Sequence, residues 1–331
     1  MHADWINIPA QDHWNISAGQ TVISVLDGTG LLGITGPDSS KFLQGQLTCN
    51  MQDITSVASR PGAHCTHKGR MVASFRLLQQ HDSAYLFVLP QETLAALQQS
   101  LGKYIVFSKA ALREASDDYL LLGISGKDAA ARVSALFGAA PSTLHAQQVN
   151  TCGIAICISE SAPRFLCLLQ REQARSAWQQ LTGDNNTVIT GSHYWRLLDI
   201  RDGIGEVHAQ TIEEFIPQML NLQVLDGISF TKGCYTGQEI VARMQYRGIL
   251  KKAMYRISGE GSLPAPNTTI LQSGHEQAVG HLVIAEMSGA DLWEGLAVIQ
   301  HDAIAAPLQL AGGSALKVLA LPYTVPVGDK S

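Results

Sequence analysis

Two short stretches, GITGPD at 33–38 and GISGKD at 123–128, constrain the fold of this chain more than any other feature. Each ends an apolar run of strand character, turns on small residues, and sets an aspartate just ahead of a helical pattern. Such turns recur widely, so two readings stay open: shared turn chemistry, or two related α+β units in one chain. The second copy opens YLLLGISGKDAAARVSALFG (119–138). Strands at 152–159 and 165–170 and a helix at 171–181 continue it.

Around the first copy, residues 21–36 read as strand, Asp27-Gly28 turn, strand. Residues 63–78 read as a hairpin around Lys68-Gly69, and 84–89 as a further strand. After Pro90, Leu94, Leu97 and Leu101 mark one face of a helix. HYWRLLDIRDG (193–203) is helical, with Tyr194, Leu197 and Leu198 on one face and Gly203 as its stop. Beyond Gly248 the texture becomes short strands split by Gly, Pro and Asn, which predicts a small β-barrel. With 331 residues and 46% hydrophobic content, the chain can bury a sizeable core and exceeds the commonest single-domain size.

Net charge is −5, so any surface for nucleic acid is local. The opening MHADWINIPAQDHW lacks a basic, apolar leader, and no apolar run reaches membrane-spanning length; a soluble cytoplasmic protein is expected. The six cysteines form no CxxC pair. His64-Cys65-x-His67 has no second ligand pair, so no tightly bound metal is expected.

TKGCYTGQE (231–239) places Cys234 between Lys232 and a helix start. Thr236 and Glu239 have the spacing of a capping box, which predicts a helix over 237–246. Helix-terminal amides, and the Lys232 ammonium if it turns the same way, favour a thiolate; a packed cysteine in a tight turn is the competing reading. Between 229 and 256 stand six basic residues, among them Arg243, Arg247, Lys251 and Lys252, and a single acid, Glu239. They suit the C-terminus of a helix, or a site for anions or RNA.

KGCYTGQE (232–239) resembles the motif of the YgfZ family, folate-binding proteins linked to iron–sulfur cluster maintenance and tRNA modification. ITGPDSSKFLQGQLT (34–48), HCTHKGRM (64–71), YIVFSKA (104–110) and the run 215–243 extend the resemblance over nearly the whole chain. That family is similar to the aminomethyltransferase (T-protein) of the glycine cleavage system. The resemblance implies an α+β class: ferredoxin-like or T-protein-like units, with a small C-terminal β-barrel. The expected domains are 1–115 plus 185–248 (folate-binding), 116–184 (a second ferredoxin-like unit) and 249–325 (barrel).

By the same resemblance, tetrahydrofolate or a derivative is the cofactor, and Trp195 stacks on it. Thr29 stands where relatives carry a second tryptophan, and Arg201 where they carry a glutamate. Lys232, Tyr235, Gln238 and Glu239 complete the expected folate contacts, with Cys234 as the catalytic thiol. The transferases use an aspartate near the KGRMVAS hairpin, and no acid lies between 54 and 81 here. The implied partners are iron–sulfur enzymes, including those that modify tRNA, with tRNA contact through the basic stretch; a monomer is expected. Two other functions stay open: a folate-dependent aminomethyltransferase, and an RNA- or protein-binding adaptor with a vestigial folate pocket.

Overall fold

A computed structural model describes residues 5–8, 13–17, 19–160, 162–183, 186–246 and 250–326. The chain runs β1 (Thr21–Val25), β2 (Thr29–Thr35), α1 (Ser39–Gln44), β3 (Arg60–Cys65), β4 (Met71–His81), β5 (Ala84–Pro90), α2 (Gln91–Ile105) and β6 (Ala111–Glu114). It continues with β7 (Tyr119–Gly126), α3 (Ala129–Phe137), β8 (Gln147–Asn150), β9 (Gly153–Ser159), β10 (Arg164–Gln170), α4 (Arg171–Thr182) and β11 (Thr187–Thr190). Helix α5 (Ser192–Asp202) leads into a long irregular segment and α6 (Gln238–Tyr246). Strands β12 (Lys252–Glu260), β13 (Thr269–Gln272), β14 (Ala278–Met287), β15 (Leu292–Gln300), β16 (Leu308–Leu310) and β17 (Ala315–Leu319) complete it.

Strand order decides between the two readings of the repeated turn. One sheet runs β3-β4-β5-β2-β6 and the other β8-β9-β10-β7-β1-β11. The first five positions match one for one, and each of these neighbouring pairs is antiparallel. Helices α1 and α3 follow the matching strands β2 and β7, and α2 and α4 follow β5 and β10. The chain therefore contains two related units. Gly36 and Gly126 hold positive φ at the two turns, 132° and 98°. A Cβ there would meet a backbone carbonyl oxygen, of Lys109 at 2.3 Å or of Gln20 at 2.1 Å, so only glycine fits.

Alternation along the strands builds four layers. In β10, Phe165, Cys167 and Leu169 face α3 and α4, while Leu166 and Leu168 face the other sheet. In β2, Leu32 and Ile34 meet Leu94, Leu97 and Leu101 of α2, while Leu31 faces the inter-sheet layer. The expected face of α2 is thus buried, at roughly 1.5–3 kcal/mol for each large side chain. The residues over 21–36 are two strands, but they are not paired: β1 bonds β7 and β11, and β2 bonds β5 and β6. Turn chemistry marks where the chain bends, not which partner each strand finds. Hydrogen bonding also crosses the expected 1–115/116–184/185–248 division, because β1 and β11 complete the sheet of the middle segment.

The last six strands close into a barrel in the order β12-β15-β14-β13-β16-β17. Along β15, Trp293, Ala297 and Ile299 fill its interior, and Leu296 and Val298 face the irregular segment. Helix α5 is clasped to the barrel at both ends. Glu286, 1% exposed, accepts from His193 Nδ1 at 3.0 Å, and its pair with Arg196 Nη1 spans 3.2 Å. Glu294 pairs with Arg201 at 3.0 Å and Arg256 at 2.6 Å. Among the described residues, no helix is long and apolar enough to cross a membrane.

Candidate folate cavity

A cavity of about 740 Å³ opens where the β1–β2 turn, the start of α2, helix α5, the segment 206–210 and the barrel loop 263–266 converge. Its flat wall is Trp195. The indole lies against the bare Cα of Gly123 on β7, where a Cβ would come within 2.1 Å of ring atom Cε3. The Arg164 guanidinium carbon stands 4.2 Å from the ring centroid. Arg164 is 2% exposed and forks to two carboxylates of α5, Asp199 Oδ1 at 2.5 Å and Asp202 Oδ2 at 2.6 Å. Asp199 and Asp202 are three residues apart and share a helix face, so one guanidinium reaches both.

Polar chemistry comes from three further side chains. Glu206 is half-buried, and loss of solvent, reinforced by the nearby Asp199 charge, pushes its carboxyl up to about 8. At neutral pH it is a carboxylic acid, able to donate as well as accept. His208 Nδ1 lies 2.7 Å from Glu92 Oε1, and that hydrogen bond holds Glu92 below its ordinary value. The other ring nitrogen, Nε2, is buried without a partner. His208 lines the cavity with Trp195 and Glu206.

The structure divides the residues anticipated from sequence. Trp195 and Thr29 meet in this cavity. Arg201 is not brought to it: its guanidinium turns to Glu294 on the barrel. Nor do Lys232, Cys234, Tyr235, Gln238 and Glu239 line it. Their segment packs instead on the first unit, where Thr236 N donates to Gly45 O and its hydroxyl to Gln46 Oε1 at 3.3 Å. Helix α6 begins at Gln238, as its spacing predicts, but without the expected Thr236–Glu239 capping box.

Lys232 is 9% exposed, and its ammonium donates to the Leu47 and Cys49 carbonyls at 2.8 Å each, over the Tyr235 ring. Burial pulls it down to about 8. It anchors the loop inward, and Cys234 is left as the one exposed cysteine of the six. Arg243 and Lys251 are exposed and Lys252 is half-buried, while Arg247 lies outside the described residues. In the former metal candidate, His64 is buried with both ring nitrogens used, on Gln46 O at 3.0 Å and Ser100 Oγ at 2.8 Å.

No family model matches the chain. Curated relatives do. The tRNA-modifying protein YgfZ of Sodalis glossinidius is 34% identical over 92% of this chain and 93% of its own length. That of Yersinia pseudotuberculosis is 35% identical over the same shares. The chain belongs to the YgfZ family. The YgfZ protein of Photobacterium profundum reaches 42% identity over 72% of this chain and 70% of its own. The fold extends beyond YgfZ proteins. The glycine cleavage system aminomethyltransferase T of Bartonella henselae superposes with a TM-score of 0.74 over 94% of this chain and 88% of its own, at 14% identity. That identity carries the fold alone: the α+β units and barrel of the YgfZ chain are those of a T-protein.

Proposed function

We propose that this YgfZ-family chain binds a reduced folate in the Trp195 cavity and uses it, with Cys234, to sustain iron–sulfur enzymes that modify tRNA. The observation that carries the reading is the pairing of a flat indole with the Glu206 carboxyl, pushed up to about 8, in one cavity. A pterin is planar and edged with both donors and acceptors. Trp195 offers it a stacking surface. Glu206, with its proton on, offers a donor and an acceptor, and His208 Nε2 offers a further polar contact. A bound reduced folate supplies the carrier chemistry for a one-carbon unit. Exposed charges at Arg243 and Lys251, with the half-buried Lys252, stand as the proposed contact for anions or tRNA.

The thiol belongs to a second place on the molecule. Lys232 fixes its loop, and the exposed sulfur faces outward, toward a macromolecular partner rather than the pterin. The proposal has two separable arms in cells lacking the native gene. Cys234→Ala is expected to abolish support of iron–sulfur-dependent tRNA modification while folate affinity is retained. Trp195→Ala is expected to lose both. Full modification by both variants contradicts the proposal.

Glu206 also favours a second reading, aminomethyl transfer. The acid absent between 54 and 81 is matched by a carboxyl from another element, with a proton available near neutral pH. Formation of methylene-tetrahydrofolate from aminomethyl donors separates this reading from the first.

A further inference from the structure

A second cavity, of about 360 Å³, opens at the end of the inter-sheet layer under the loop 222–226. It meets the Trp195 cavity only at Glu206 among the residues lining both. Its walls are largely apolar, with Leu144, Ile158 and Leu222 among them. Its polar floor is built from hydrogen-bond donors. Arg76, on the inter-sheet face of β4, spends Nη1 on Ser59 Oγ at 3.2 Å and on His145 Nδ1 at 3.0 Å. No carboxylate among the described residues lies within ion-pairing distance of it, and Nε and Nη2 have no protein acceptor. Burial pulls this guanidinium down to about 10, so it stays charged at neutral pH.

His145 adds to the excess. It is 6% exposed and holds a left-handed backbone, φ 69°, pinned by its N–H to Cys157 O and by Ser59 N to its own carbonyl. Burial, and the Arg76 charge beside it, pull its imidazole down to about 3, so it is neutral. Nδ1 accepts from Arg76, which leaves the proton on Nε2, and Nε2 has no hydrogen-bond partner. The nearest carboxylate oxygen, on Asp226, is 3.7 Å away, and Asp226 is 68% exposed at the rim.

The acids around this floor do not complete it. Asp202 is held by Arg164, Glu206 carries its proton, and Glu160 accepts from Leu144 N at 2.5 Å. A cavity with a buried, unpartnered imidazole N–H and a half-buried guanidinium at its base, and hydrocarbon on its walls, lacks an acceptor with an apolar body. We infer that the Arg76–His145 cavity is a second ligand site, distinct from the Trp195 cavity, for a small apolar monocarboxylate. The carboxylate takes the guanidinium and the imidazole N–H, and the apolar body lies against Leu144, Ile158 and Leu222. The acidic rim disfavours ligands of higher negative charge.

Calorimetric titration of the whole protein with octanoate, octanol and octylamine tests this. Octanoate is expected to bind one to one, with the alcohol and the amine at least tenfold weaker. Arg76→Met is expected to weaken octanoate at least tenfold and to leave the tetrahydrofolate titration unchanged. Val224→Trp gives an independent block, since Val224 lines the mouth and is 38% exposed, where a larger side chain is tolerated by the fold. Any one of four results overturns the inference: no saturable octanoate binding, octanol binding as well as octanoate, octanoate affinity unchanged in both variants, or displacement of octanoate by stoichiometric tetrahydrofolate.

Discussion

Arg164→Met is expected to cost about 3–5 kcal/mol of stability and to remove folate binding together with it. The guanidinium is 2% exposed and is the shared partner of Asp199 and Asp202. Methionine fills much of its volume but leaves two carboxylates facing each other in a closed site. Burial already pushes Asp199 up against the pull of Arg164. Without the cation, Asp199 rises further. A group whose folded value is raised loses stability as pH climbs through that value. The deficit of the variant is therefore expected to be small near pH 4.5 and to grow toward pH 8, as read by denaturant midpoints. A deficit equal at both pH values would mean that Arg164 acts by packing alone. Arg164→Lys keeps the charge but not the fork, and is expected to recover only part of the loss.

Glu206→Gln is expected to do the reverse at alkaline pH and to stabilise the protein. The folded carboxyl titrates at about 8, against an ordinary value of 4.5. Between those two values the native state holds a proton that the unfolded chain has released. Wild-type stability therefore falls across that window, and glutamine removes the fall. The variant is expected to match or slightly trail the wild type at pH 5. At pH 8.5 it should exceed it by roughly 1–3 kcal/mol, a figure reduced for the water that the cavity admits. Glutamine retains a donor and an acceptor, so folate affinity at neutral pH is expected to change little. Any aminomethyl transfer should fall by about a hundredfold or more, because the amide exchanges no proton. An unchanged stability difference at both pH values contradicts the buried-acid assignment.

Much of the fold is legible in the residues themselves. Leu94, Leu97 and Leu101 announce the buried face of α2, and the short strands after Gly248 announce the barrel. The paired turns at Gly36 and Gly126 announce the duplication, although strand order was needed to decide it. The separation of β1 from β2 is not legible, because strand partners are chosen over long distances. The site is legible only where one element carries it. Trp195 is marked by its motif, whereas Glu92, Glu206 and His208 converge from α2 and from an irregular segment with no periodicity. Arg201 shows the limit of motif transfer. Its neighbours Asp199 and Asp202 share the face that meets Arg164, and the intervening position turns about 100° per residue away, toward Glu294. Lys232 shows another limit: adjacency to Cys234 in sequence says nothing of where a long side chain points.

The central claim is that a folate lies on Trp195. Of the five tryptophans, Trp293 is fully buried in the barrel, and Trp178, on α4, is buried in the core beneath that helix. Titration with tetrahydrofolate, followed by tryptophan fluorescence in the wild type and in Trp195→Phe, tests it most directly. Saturable quenching in the wild type, with most of the amplitude lost in the variant, is the expected result. Quenching of equal amplitude and midpoint in both proteins, or none in either, would contradict it.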